Sequence, residues 1–123
     1  MAKLGYVLDE IFVEHRAPSG HPERPARAEA IRDALVAAGI ASRGTQVPPR
    51  VATDGELLAV HDAMYLAQLE KVVPGRTGWL DADTYYSPGT WDAARKAAGV
   101  ACQLAGDVMA GALTEAIAVV RPP

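Results

Sequence analysis

The spacing of apolar residues changes several times along this chain, and each change predicts a different element. Leu4 to Leu8 (LGYVL), followed by Ile11, Phe12 and Val13, is apolar enough for a short buried strand. A turn-rich stretch from His15 to Pro25 separates it from the first helix. From Ala26 to Ala38, apolar side chains fall at Ala28, Ile31, Leu35 and Ala38, a single helical stripe with Gly39 as a natural stop. Thr45 to Val51 is a candidate strand interrupted by Pro48 and Pro49.

TDGE, Thr53 to Glu56, has the form of a capping box. It predicts one continuous helix through LLAVHDAMYLAQLEKVV, with Leu58, Tyr65, Leu69 and Val72 as its stripe. Leu57, Met64 and Leu66 widen the stripe, and Pro74-Gly75 ends the helix. A loop from Gly75 to Tyr86 leads to Ser87-Pro88, a side-chain cap and a proline suited to a first helical position, so the third helix is expected to begin there. Its stripe reads Trp91, Ala94, Ala98, Ala101, Ala105, Val108 and Ala112, mostly small residues that let a helix lie close to a sheet. AIAVV, Ala116 to Val120, lacks alternation, as expected of a parallel strand covered on both faces. Strands separated by helices indicate an α/β layered fold, whose ligands bind beyond the carboxyl ends of the strands.

Composition narrows the reading. The 123 residues, 50% hydrophobic, suffice for one domain with one core and are too few for two. A net charge of −3, with basic residues dispersed among acids, argues against direct contact with nucleic acid. Cys102 is the only cysteine, which excludes an internal disulfide framework and a thiolate metal cluster and fits a reducing cytoplasm. MAKLGYVLDE has no apolar signal region, and no apolar run approaches the roughly 20 residues that span a bilayer. The expectation is a cytoplasmic protein without a membrane partner.

Few residues stand out for chemistry. Histidines occur at 15, 21 and 61, and none has the spacing of a metal pair. His61, beside the apolar stripe of the second helix, reads as a packing or hydrogen-bonding residue before it reads as a catalyst. His15 reads as a solvated loop residue. Asp81 and Asp83 in LDADTYY can hold a cation or accept protons, although carboxylates two apart in an extended loop face opposite ways. The plainer reading is a polar turn that caps the next helix. Arg24 and Arg27 open the first helix, where the macrodipole disfavours positive charge, so they need a carbonyl, carboxylate or anionic ligand as compensation. Alternatively they are solvated or paired with Glu23 and Glu29. Pro22 and Pro25 stiffen this turn, which suits a pocket rim or a plain connector. No phosphate-binding glycine loop and no Gly-x-Ser-x-Gly elbow occurs.

GHPERPAR at 20–27, ELLAVHDAMYLAQLE at 56–70, LDADTYYSPGTWDAA at 80–94 and the closing AVVRPP together resemble the N-terminal third of the histone deacetylase superfamily. The resemblance leans toward bacterial class II-like deacetylases and acetoin-utilisation or acetylpolyamine amidohydrolase relatives. It implies an arginase-like three-layer α/β fold with a parallel sheet, incomplete in this length of chain. It also implies a zinc-activated water that attacks an acetylated amine substrate, an acetyl-lysine or acetylpolyamine amide, at the bottom of a narrow tube. By the same resemblance Arg27 lines an internal channel that guides acetate, Asp83 is the rim aspartate that orients the substrate backbone, and His21 and Pro22 belong to the pocket rim. Trp91 is expected in the core.

In the family, RPP is followed by a Gly-His-His stretch whose histidines move protons, and later by Asp-x-His and Asp zinc ligands and a tyrosine. None of these motifs occurs in the present sequence. The resemblance therefore implies an N-terminal segment that has no catalytic residue or metal ligand of its own and is inactive alone. Its apolar surfaces are expected to be uncovered and prone to self-association. The competing expectation is a small non-catalytic α/β binding module, or one half of a split enzyme.

Overall fold

The computed structural model describes residues 2–122; Pro123, the last residue of the RPP run, lies outside them. Three parallel strands form the central sheet in the order β2-β1-β5: β1 (Leu4–Leu8), β2 (Thr45–Gln46) and β5 (Glu115–Val119). Leu4 pairs with Glu115 and Leu8 with Val119, so the central ladder joins the two ends of the chain. The expected α/β class with a parallel sheet is what the chain adopts.

Side-chain alternation divides the sheet into two faces. On one, Val7, Ala116 and Ala118 meet α5 (Thr90–Met109), with Phe12, Ala93, Ala97, Val100 and Leu104 completing the core. Across the other face lies α1 (Pro25–Ala37), followed by the single turn α2 (Ile40–Arg43). The covering there is loose: Leu8, Val119, Ala28 and Val36 line a gap of about 290 Å³. β5 is consequently half-buried along Ala116–Ala118, and the expectation of a strand enclosed on both faces holds only at Val119.

Several further expectations are corrected. Ile11, Phe12 and Val13 do not extend β1; Asp9 accepts the Ile11 amide and starts a 3-10 helix, Glu10–Glu14. The candidate strand at 45–51 shrinks to Thr45–Gln46, because the prolines after it cannot donate to a ladder. The long helix divides into α3 (Asp54–Leu58) and α4 (Ala63–Val72), because Asp62 turns its side chain onto the Met64 and Tyr65 amides and caps a new helix. Of its stripe, Leu58, Tyr65 and Val72 are exposed and Leu69 alone faces inward, beside Leu66, one of the residues expected to widen the stripe, and Val73, which lies outside the expected set. The capping box itself is present, with Thr53 and Glu56 exchanging bonds.

Ser87 does not cap α5, which starts at Thr90 after Gly89. Its buried stripe is Thr90, Ala93, Ala97, Val100 and Leu104, one residue ahead of the expected one. Both stripes step by three and four, and the one with Val100 and Leu104 buries more apolar area. Close approach sets the helix position. A side chain on Gly99 would collide with the Arg50 carbonyl oxygen, and one on Gly89 would meet the Glu14 backbone. The segment from Gly75 to Tyr86 is not wholly loop: β3 (Gly78–Trp79) and β4 (Tyr85–Tyr86) pair as a small antiparallel hairpin.

Candidate functional site

A cavity of about 650 Å³ opens between the turn before α1, the hairpin and the start of α5. His21, Pro22, Arg27 and Asp83 all line it, together with His15, Glu23, Tyr85 and Trp91. Sequence-distant segments thus meet on one wall, and the rigid turn at 20–25 forms part of it.

His21 and Asp83 come together at the mouth. The Glu23 amide donates to His21 Nδ1 at 3.1 Å, which leaves Nε2 to donate toward Asp83, 3.3 Å from its carbonyl oxygen and 3.4 Å from Oδ1. The Asp83 side chain is 93% exposed, so its carboxylate keeps free acceptor capacity. Asp81 faces elsewhere. Its Oδ1 accepts the Asp83 and Thr84 amides at 2.8 Å each, which closes the hairpin turn and holds its carboxyl below the ordinary aspartate range. The plain reading of a polar turn is therefore right for Asp81, except that it caps the hairpin and not a helix. Arg24 and Arg27 are exposed, and among the described residues neither forms an ion pair. Glu23, the partner offered to them by proximity in sequence, is engaged elsewhere. Trp91 is half-buried on the cavity wall, with the Arg95 guanidinium 5.8 Å from its ring.

Beneath the mouth lies a buried polar network that sequence reasoning missed. Arg121 is 3% exposed and directs every N–H it has at an acceptor. Nε reaches Glu23 Oε1 at 2.8 Å and Nη2 reaches Glu23 Oε2 at 2.7 Å. Nη2 also donates to the Tyr85 hydroxyl at 2.7 Å, while Nη1 donates to the carbonyls of Phe12 at 3.0 Å and His15 at 2.6 Å. The Tyr85 phenol in turn has two acceptors on Glu23, the carbonyl oxygen and Oε2, each 2.6 Å away.

The charges of the network follow from these contacts. Burial opposes ionisation of Glu23, but the Arg121 hydrogen bonds, with Tyr85 behind them, overcome it and keep the carboxyl below its ordinary range. Burial, then the bond to Glu23, pushes the Tyr85 phenol well above its usual range, so it stays a donor.

His15 is not a solvated loop residue. It is 3% exposed, stacked on Tyr85 with ring centroids 4.5 Å apart, and its Nδ1 lies 2.7 Å from Thr90 Oγ1. Burial first, and the Arg121 charge second, bring its pKa from 6.5 down to about 4, although Glu23 pulls the other way. The ring is neutral at pH 7. If Thr90 donates to Nδ1, the ring proton is on Nε2, which faces Glu23 Oε2 at 3.5 Å. The opposite tautomer would set a lone pair against a carboxylate. His61, by contrast, is exposed in the break between α3 and α4 and makes only an edge contact with Tyr65, so it is not a packing residue.

Signals for the missed residues existed in part. Glu23 and Arg121 lie inside the motifs that carry the family resemblance, yet only a fold shows that they face each other. Among the described residues, no three His, Cys, Asp or Glu side chains converge as a metal site.

Comparison with known proteins covers the same ground. The histone deacetylase domain profile matches residues 21–123. The chain is 31% identical over 112 residues to a histone deacetylase-like amidohydrolase of Pseudomonas aeruginosa, covering 91% of this chain and 30% of that protein. It is 36% identical over 113 residues to the human polyamine deacetylase HDAC10, covering 86% of this chain and 17% of the relative. A probable deacetylase of Archaeoglobus fulgidus is 33% identical over 121 residues, covering 97% and 33% respectively. The chain therefore spans a third or less of the length of these relatives. The crystal structure of the HDA15 HD domain superposes with a TM-score of 0.88 at 30% identity, covering 99% of this chain and 36% of that one.

Proposed function

The chain belongs to the histone deacetylase family, and from that premise we propose that it forms the wall and rim of the substrate tube in a zinc-dependent amidohydrolase. The substrates proposed are acetylated amines, of the acetyl-lysine or acetylpolyamine type, handled in the cytoplasm. One observation carries the reading: His21, Pro22, Arg27 and Asp83, drawn from two distant segments, share the wall of one cavity of about 650 Å³. Asp83, with its carboxylate free toward solvent, accepts hydrogen bonds from the substrate backbone. Arg27 lines the path of the acetate product, where a guanidinium offers several donors to a carboxylate. His21 and Pro22 fix the shape of the mouth.

Among the described residues, no donor set fits zinc. His15 and Glu23, the buried imidazole and carboxylate nearest to one another, are committed to Thr90, Arg121 and Tyr85. Metal ligands and proton-transferring groups are accordingly proposed to come from polypeptide outside these residues, and the chain alone is expected to be inactive. The test is hydrolysis of an acetyl-lysine peptide and of an N-acetylated diamine with added zinc. The chain is assayed alone and mixed with the remaining two-thirds of a bacterial relative. Turnover only in the mixture supports the reading. Chelator-sensitive cleavage by the chain alone overturns it, and a monomer that never engages the complementing piece favours a non-catalytic α/β module.

A further inference from the structure

The segment that leaves β5 carries the most densely hydrogen-bonded side chain of the site, and nothing in the proposed chemistry uses it. Five guanidinium N–H groups are matched to acceptors on Phe12, His15, Glu23 and Tyr85. Those acceptors belong to the 3-10 helix, the turn after it, the rigid turn before α1, and the hairpin. Arg121 therefore joins these four segments beside the cavity to the carboxyl end of the sheet.

The chain of contact continues outward. Glu23, fixed by the fork of Arg121, offers its own amide to His21 Nδ1. Tyr85, fixed through its hydroxyl, is enclosed by two histidine rings: His15 stacks on one face, and His21 meets it edge-on with centroids 4.7 Å apart. His21 then bonds Asp83 at the mouth. Removing the fork would free Glu23 and Tyr85 together, and both supports of His21 with them.

From this geometry we infer that Arg121 is the positioning residue of the cavity rim, acting through Glu23 and Tyr85 to set where His21 and Asp83 stand. The inference deepens the substrate-tube reading and rests on it only for the rim's purpose. The mechanism is directional bonding, not net charge. A planar guanidinium can fill five acceptors in fixed directions, whereas an ammonium at the same position has three donors and no fork. Lysine is thus expected to fail as a substitute although it keeps the charge.

The test needs neither substrate nor metal, so its failure leaves the amidohydrolase reading to its own assay. In the unaltered chain, the Arg121 Nε–H should exchange with solvent about 100-fold more slowly than that of the exposed Arg24, because its bonds must open first. NMR should show a cross-ring contact between His21 and Tyr85. In R121K and E23Q that contact should disappear while contacts between β1 and β5 persist. Y85F, a milder change that keeps the ring, should weaken the Arg121 protection without unfolding the chain. Free exchange at Arg121 in the unaltered protein overturns the inference whether or not any variant folds. So does a folded R121K that keeps the His21–Tyr85 contact, since charge would then suffice.

Discussion

Acidification should weaken this fold well before its carboxylates titrate, and His15 is the reason. In the folded chain the ring is held neutral down to about pH 4, against 6.5 for a solvated histidine. Above pH 6.5 neither state carries the proton, so His15 adds no pH dependence there. As the pH falls from 6.5 toward 4, the unfolded chain takes up a proton that the folded chain refuses, and stability drops. At about 1.4 kcal/mol per pH unit, the gap amounts to about 3 kcal/mol, a large share of the roughly 5–15 kcal/mol typical of a domain. Glu23 acts lower. Its folded pKa lies beneath the ordinary value of 4.5, so its stabilisation is intact above that pH and is lost only as the pH falls further. The interval from pH 6.5 to 4.5 therefore separates the His15 contribution from that of Glu23. Urea unfolding should be followed across it for the unaltered chain and for H15F, which keeps the stack on Tyr85 but cannot titrate. The difference in slope is the His15 contribution. Equal slopes, or a His15 ring that titrates near 6.5 in the folded protein by NMR, would refute the reasoning.

Replacing Gly99 by alanine drives a methyl into the backbone at Arg50–Ala52 and should cost about 1–3 kcal/mol; an unchanged urea midpoint would show that the helix and loop are not in contact. Phe12→Ala, at a site with no solvent exposure in the main core, should cost about 3–5 kcal/mol by the same assay. A loss under about 1 kcal/mol would mean the site can collapse to fill the void. Thr53→Ala removes one half of the capping box on α3 and should cost about 1 kcal/mol, read as faster amide exchange at Glu56. Exposed Met109, Val60 and Met64, at 88%, 77% and 74%, should make the isolated chain self-associate with rising concentration. A single monomeric species throughout a sedimentation series would contradict that.

Strong local signals in the sequence survived folding: β1 falls where LGYVL places it, and Gly39 with φ of 72° ends α1 as a left-handed stop. The Thr53–Glu56 box was legible because both partners lie within one turn. Errors arose where two local choices compete. At Asp62 a side-chain cap beat continuation of the helix, and along α5 an alanine-rich surface offered two stripes that differ only in their large members. At the site, His21, Pro22, Arg27 and Asp83 could be named because they stand in recognisable motifs. His15 could not, since nothing local distinguishes a buried histidine from a wet one; its burial is supplied by Tyr85, Thr90 and Arg121, all more than 69 positions away. Likewise Arg121 looks like a plain residue before two prolines until Glu23 is brought to it across the sheet.

The pairing of Leu4 with Glu115 has a bearing on how the chain is made. A ribosome delivers β1 well before β5, its long ladder partner, so this pair of strands cannot close until the intervening stretch has been made. Such distant pairing imposes slow folding. During that wait β1 is an apolar segment whose ladder partner among the strands already made is the two-residue β2.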